Sequence, residues 1–499
     1  MNISKAKEQV KSAVRAYLTK DDLGNYEIPV DKQRPLLLIG PPGIGKTAIM
    51  EQISSELGIG LITYSMTHHT RQSAIGLPFI SRKTFGGREY DVTEYTMSEI
   101  IASVYELMEE TGVREGILFL DEINCVSETL SPLMLQFLQY KVFGGHRIPD
   151  GWIIVTAGNP PEYNESAREF DVVTLDRLKK INVEPDFEAW RQYALQAGVH
   201  PAVMSFLGSR RDRFYSVETT VSGRTIVTPR GWEDLSKMLI LYDRNGLEAD
   251  EDLIVQYLQN ENIAREFSVY LDLYRKYRTQ YPVDEMLSGN LTEEMKERIA
   301  SAGFDEVYTL IGLLLGSADA DIRACMEDRR LLESVRSCIK QYAASDRALP
   351  PVRSLEMIIR DIESRRSDGL RARSVTKEEG NRLLRTAGIL YDIAAKISDR
   401  QSYEDNFDII RDDYAMRVSQ HNKKAAAAGS KLENLFRVAE ECWGDGKEML
   451  LILTELTADP ESVSFISTYG CEAYYRHNKT LLLSERDIEI AEEIRELDI

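Results

Sequence analysis

The stretch Gly40-Pro41-Pro42-Gly43-Ile44-Gly45-Lys46-Thr47 constrains this chain more than any other feature. It fits the pattern G-x-x-x-x-G-K-S/T in full, and its flanks set the geometry. Pro35-Leu-Leu-Leu-Ile39 before it is a short apolar run of the kind that forms a buried parallel strand. Thr47 to Leu57 after it reads as a helix that stops at Gly58. A strand, a glycine turn and a helix N-terminus in that order point backbone N–H groups and the positive helix end at one place, which suits phosphate oxygens. Gly40, Pro41, Pro42, Gly43, Ile44, Gly45 and Ala48 are then the cradle. Lys46 would reach the β- and γ-phosphates, and the Thr47 hydroxyl would ligate Mg²⁺. The expected cofactors are ATP and Mg²⁺.

Further apolar runs at Gly60–Met66, Gly116–Leu120 and Trp152–Ala157 read as strands, with helical stretches between them. Residues 1–20 read as a leading helix with Ala6, Val10, Ala13, Val14 and Tyr17 on one face. Alternation of this kind implies a three-layer α/β core with a mostly parallel sheet, ending near Pro185. Gly116-Ile-Leu-Phe-Leu ends in Asp121 and Glu122, 75 residues after Lys46. Strand ends of a parallel sheet face the ligand crevice, so both acids would lie beside the phosphates. Asp121 suits the metal's outer coordination, and Glu122 suits a base that orients water for in-line attack.

Helical signals dominate from Asp186 onward. Asp186 reads as the cap of a helix around Trp190, and Thr228-Pro229 as a capping Thr followed by Pro at the first helical position. Breaks are expected at 348–352, at the charged run Ser364–Arg373 and at Lys423–Gly429. A new amphipathic helix should carry Leu432, Leu435, Phe436 and Ala439, and another should carry Ile490, Ile494 and Leu497 at the acidic end. The division that follows is a core at 1–185, a lid at 186–285, a helical extension at 286–422 and a C-terminal module at 431–499.

Together these motifs resemble the AAA+ ATPases, and in detail the MoxR-type group. The resemblance implies an AAA+ P-loop core, an all-helical lid and a helical C-terminal extension. Trp152-Ile-Ile-Val-Thr-Ala-Gly-Asn159 is similar to that family's sensor 1 strand, whose Asn orients the attacking water. Leu175-Asp-Arg177-Leu178 resembles its LDRF element, with Leu in place of Phe, where the Arg serves as a finger for the neighbouring subunit's ATP. Arg168 lies on the same stretch and competes with Arg177 for that role. Thr228-Pro-Arg230 resembles sensor 2, an Arg at the start of a lid helix. Phe79-Ile80, a Gly86-Gly87 turn and Tyr90-Val92 resemble the helix-2 insert as a hairpin, and Phe143–Ile148 the pre-sensor hairpin. In such rings both hairpins face the pore or the remodelled partner.

The resemblance therefore implies ATP hydrolysis in a homo-oligomeric, hexameric ring that remodels or activates a protein client, with a von Willebrand factor A-like protein as the partner guess. An ATP-gated assembly switch and a nucleic-acid motor are the other readings. Against the motor, 61 Lys and Arg face 81 Asp and Glu, a net charge of −20 and no basic excess for a duplex. Five scattered cysteines without a CxxC pair exclude a disulfide scaffold and a zinc ribbon. With no apolar run long enough to span a bilayer, the expectation is a cytoplasmic protein.

Overall fold

In the computed structural model the expected apolar runs become neighbours in one sheet. The description covers residues 1–69, 74–220, 223–347 and 349–479, so the helix expected around Ile490, Ile494 and Leu497 lies outside the described residues. The chain divides into two compact units, one of Met1–Ala189 with Glu356–Gly388, the other of Trp190–Leu355 with the chain from Ile389 onward.

The strands are β1 Leu36–Ile39, β2 Gly60–Ser65, β3 Pro78–Phe85, β4 Arg88–Tyr95, β5 Gly116–Asp121, β6 Val142–Phe143, β7 His146–Arg147, β8 Trp152–Gly158, β9 Lys179–Asn182, β10 Ser216–Thr220 and β11 Gly223–Val227. In the first unit, β2-β5-β8-β1-β9 form a five-stranded sheet whose pairs are all parallel. Parallel strands need both faces covered. Accordingly β8 is buried along its whole length and Leu36, Leu37 and Leu38 of β1 are fully buried. Each such side chain contributes roughly 1.5–3 kcal/mol by leaving water. Helices Ile3–Leu18, Ala48–Leu57, Glu99–Thr111 and Ser131–Tyr140 belong to the same unit. Ala6, Val10, Ala13 and Val14 form the buried stripe of the first, as their spacing predicts. The fold class is the one expected, a parallel α/β P-loop core with a helical C-terminal region. β9 escaped sequence reading because three of its four residues are polar and only Ile181 is buried.

The two glycine turns also close as expected. β3 and β4 pair as an antiparallel hairpin around Gly86 and Gly87, and β6 and β7 around Gly144 and Gly145. Just before the second hairpin, Lys141 is buried in a left-handed conformation with its ammonium donating to the Val30 carbonyl. Burial, helped by the nearby Arg147, pushes this lysine down to about 8. A lysine whose folded pKa is depressed stabilises the fold above its unfolded pKa, and that contribution is lost as pH falls through the folded value. The deficit in melting temperature of the parent against Lys141→Met should therefore shrink as pH rises from about 7.5 to about 9.5. A pH-independent difference in thermal melts would mean that the ammonium is not desolvated.

The second unit is mainly helical. Thr228 caps the helix Pro229–Asn245 by accepting from the Gly231 N–H, as its sequence signal predicts. The stretch expected as an all-helical lid departs from that expectation in one place, where β10 and β11 pair antiparallel. Val217, Thr225, Ile226 and Val227 are β-branched residues that favour the extended backbone. The helices Phe304–Ala343 and Tyr403–Trp443 carry much of this unit's core, with Leu310, Leu314, Ile322, Leu432, Leu435 and Phe436 buried.

Two expected breaks are helical instead. Lys423–Gly429 lies inside the 41-residue helix Tyr403–Trp443, because alanine is the strongest helix former and Ala425 and Ala428 are buried in the core. Ser364–Arg371 lies inside the helix Pro351–Arg371, where Leu355, Ile359 and Ile362 supply a buried stripe and most of the charges point outward. The chain turns only after Arg371.

Candidate active site

The sheet register gathers the site. Ile39 pairs with Gly158, and Ser65 with Asp121, so Gly40, Asn159, Ser65, Asp121 and Glu122 all stand at the C-terminal edge of the strands. The loop from Gly40 to Thr47 leaves β1 there and feeds the helix Ala48–Leu57. Gly43 and Gly45 have φ of 74° and 94°, a left-handed backbone that glycine takes without strain. Successive turns of this kind are what let N–H groups converge on an anion.

Lys46 is buried, and its ammonium donates to Gly40 O at 2.8 Å, Pro41 O at 2.7 Å and Asn159 Oδ1 at 2.9 Å. The phosphate-loop lysine and the Asn of the expected sensor 1 strand are thus directly joined. Thr47 Oγ1 donates to Asp121 Oδ2 at 2.9 Å, and Asp121 Oδ1 accepts from the Glu122 N–H at 2.9 Å. A hydroxyl and a carboxylate meeting at this distance form a hard-oxygen donor set of the kind Mg²⁺ takes.

Glu122 is itself in a left-handed conformation, φ 56°. Its Oε2 accepts from Ser65 Oγ at 2.7 Å and Thr67 Oγ1 at 3.0 Å. Asn124 is buried and donates to Asn159 O at 2.7 Å and Arg168 O at 3.3 Å. These contacts tie the two strand ends and the segment around Arg168 together. Sequence reasoning missed Ser65, Thr67 and Asn124. Hydroxyls at the end of a strand already assigned to the sheet were an available signal for the first two. Asn124 had none.

The side chains of Arg177 and Arg168 bond to residues outside this cluster. Arg177 is exposed at the end of the helix Val172–Asp176, and its Nη1 donates to Gln139 Oε1 at 2.6 Å. The neighbouring Leu178 is buried in the core. Arg168 is exposed and paired with Glu128 at 2.9 Å. Arg230 belongs to the second unit, where it is exposed in the first turn of the helix Pro229–Asn245.

Residues 36–170 match the AAA family, described as ATPase family associated with various cellular activities. A Lon protease homolog of Acanthamoeba polyphaga mimivirus is 27% identical over 192 residues. That match covers 35% of this chain and spans 17% of the relative. A solved RuvB mutant of Thermotoga maritima is 16% identical, with a TM-score of 0.29 over 60% of this chain and 75% of that one. Among the described residues no helix is long and apolar enough to cross a membrane.

Proposed function

We propose that this chain, which carries an AAA ATPase domain at residues 36–170, is a Mg²⁺-dependent ATP hydrolase of the MoxR type that remodels or activates a protein client as a ring. The observation that carries the reading is the junction of Lys46 with Asn159 and of Thr47 with Asp121, beside Glu122, at one sheet edge. Bound MgATP supplies a transferable phosphoryl group and a cation that offsets charge on its oxygens. Lys46 would exchange its carbonyl partners for phosphate oxygens. Thr47 and Asp121 would hold the metal. Glu122 and Asn159 would orient the attacking water, and Arg230 would reach the nucleotide from the lid. Phosphate release assayed with Mg²⁺ and with EDTA tests this directly, and a rate unaffected by EDTA would overturn it.

Arg177 is assigned to a neighbouring subunit's nucleotide, because its own contacts are with Gln139 and not with the phosphate loop. Arg177→Ala should bind ATP within about twofold of the parent and hydrolyse it at least about tenfold more slowly. The parent's rate per chain should also rise with protein concentration as a ring, hexameric by resemblance, assembles. Full activity of Arg177→Ala at a concentration-independent rate would pass the role to Arg168 or end it.

The hairpins β3–β4 and β6–β7 are proposed to meet the client, with a von Willebrand factor A-like protein as the candidate partner in the cytoplasm. Exposed Phe79, Ile80 and Phe85 on the first hairpin support a protein partner. One observation favours the ATP-gated switch as a second reading: Ser65 and Thr67 hold the Glu122 carboxylate, which suits slow basal turnover. Client-stimulated hydrolysis supports the remodeller. Client binding that needs ATP but survives Glu122→Gln supports the switch.

A further inference from the structure

The outer edge of β2 is covered from far along the chain. Glu356–Gly388 belongs to the nucleotide-binding unit although the residues on either side of it belong to the other. It forms a helical hairpin from the helices Pro351–Arg371 and Lys377–Ala394, with its tip at Ala372 and Arg373. Gly369 permits the tight closure, since a Cβ there would stand 2.5 Å from Val375. The tip meets β2 through one backbone hydrogen bond. Leu61 N–H donates to Ala372 O at 2.9 Å, and Ala372 is fully buried in the core of that unit.

Arg373 makes further ties. Its backbone is left-handed, φ 54°, and its carbonyl accepts from Ser54 Oγ at 2.9 Å. Its guanidinium donates to Thr63 Oγ1 at 3.2 Å and Glu51 Oε1 at 3.4 Å. Glu51 and Ser54 lie on the helix that begins at the phosphate loop, and Thr63 lies on β2. Arg371 pairs with Glu110 on the helix Glu99–Thr111 at 2.7 Å. Two residues beyond Thr63, Ser65 grips the Glu122 carboxylate. The tip therefore clamps the strand that sets the position of Glu122.

We propose that the Ala372–Arg373 tip is a positioning element for Glu122, acting through β2 and its Ser65 and Thr67 hydroxyls, so that turnover is set in part from the helical extension. This rests on reading Glu122 as the group that orients water. Arg373 bonds Ser54, Glu51 and Thr63 rather than Glu122, and is a positioning residue. A purely structural edge cover would stabilise the unit and do nothing more.

Arg373→Gly separates the two roles. Glycine accepts the left-handed backbone and keeps the carbonyl for Ser54, while the ties to Thr63 and Glu51 are lost. With these two side-chain ties gone, the hold on Glu122 loosens and basal kcat should rise about threefold, with KM for ATP within about twofold. In a Ser65→Ala/Thr67→Ala background the same substitution should change kcat by less than about 1.3-fold, because the route is already cut. An unchanged kcat, or the same factor in both backgrounds, would overturn the proposal. Should the parent lack ATPase activity, the functional reading fails, and hydrogen exchange still decides this inference. Arg373→Gly should speed exchange in peptides covering both 60–67 and 121–125. Faster exchange confined to the hairpin itself would reduce the tip to an edge cover.

Discussion

Lys46→Ala is expected to weaken ATP binding by more than about tenfold, at least about 1.4 kcal/mol. The ammonium is buried and spans Gly40 O, Pro41 O and Asn159 Oδ1, so it stands where the loop meets the neighbouring strand end. A triphosphate brought there needs a cation in a place that water reaches poorly, where charge-assisted hydrogen bonds count for more than at a surface. The alanine variant also strands the oxygens that Lys46 now serves, which costs roughly 1–3 kcal/mol per buried group left unpaired. Some loss of melting temperature should therefore accompany the loss of affinity. Lys46→Met keeps the aliphatic stem and separates packing from charge. Titration calorimetry with MgATP should show both variants as weak binders. Affinity within about threefold of the parent would remove Lys46 from the phosphate cradle.

The parts of the fold legible in the sequence were those whose chemistry is local. Gly43 and Gly45 between an apolar strand and a helix could be read as a phosphate loop because the backbone they need is written in the residues themselves. The same holds for Thr228-Pro229, whose cap and first helical position follow from two adjacent side chains. Lys423–Gly429 was misread because low complexity suggested a linker where helix propensity and the burial of Ala425 and Ala428 favour a continuous helix. Contacts across long stretches of sequence left no local trace. Asn124 holds Asn159 and Arg168 from 35 and 44 residues away, and Arg373 reaches Thr63 across 310. No periodicity or spacing announces such a return. The charged run around Ser364–Arg373 looked like a break, yet Ala372 within it is fully buried.

Glu122→Gln should leave ATP binding within about twofold and reduce turnover by at least about a hundredfold, the scale of a lost general base. The substitution is close to isosteric, and the site tolerates it for a visible reason. The amide oxygen still accepts from Ser65 Oγ and Thr67 Oγ1, and the left-handed backbone at this position is unchanged. Asp121 retains its bonds to Thr47 Oγ1 and to the N–H of residue 122, so the donor set proposed for Mg²⁺ stays whole. What disappears is the capacity to polarise water and take up its proton. Calorimetry and a phosphate-release assay on the same preparation separate the cases. Loss of both binding and turnover would indicate damage to the metal site or the fold. Turnover at the parent rate would make Glu122 a bystander. Asp121 is already committed to Thr47, so the search for the base would then have to leave this strand end.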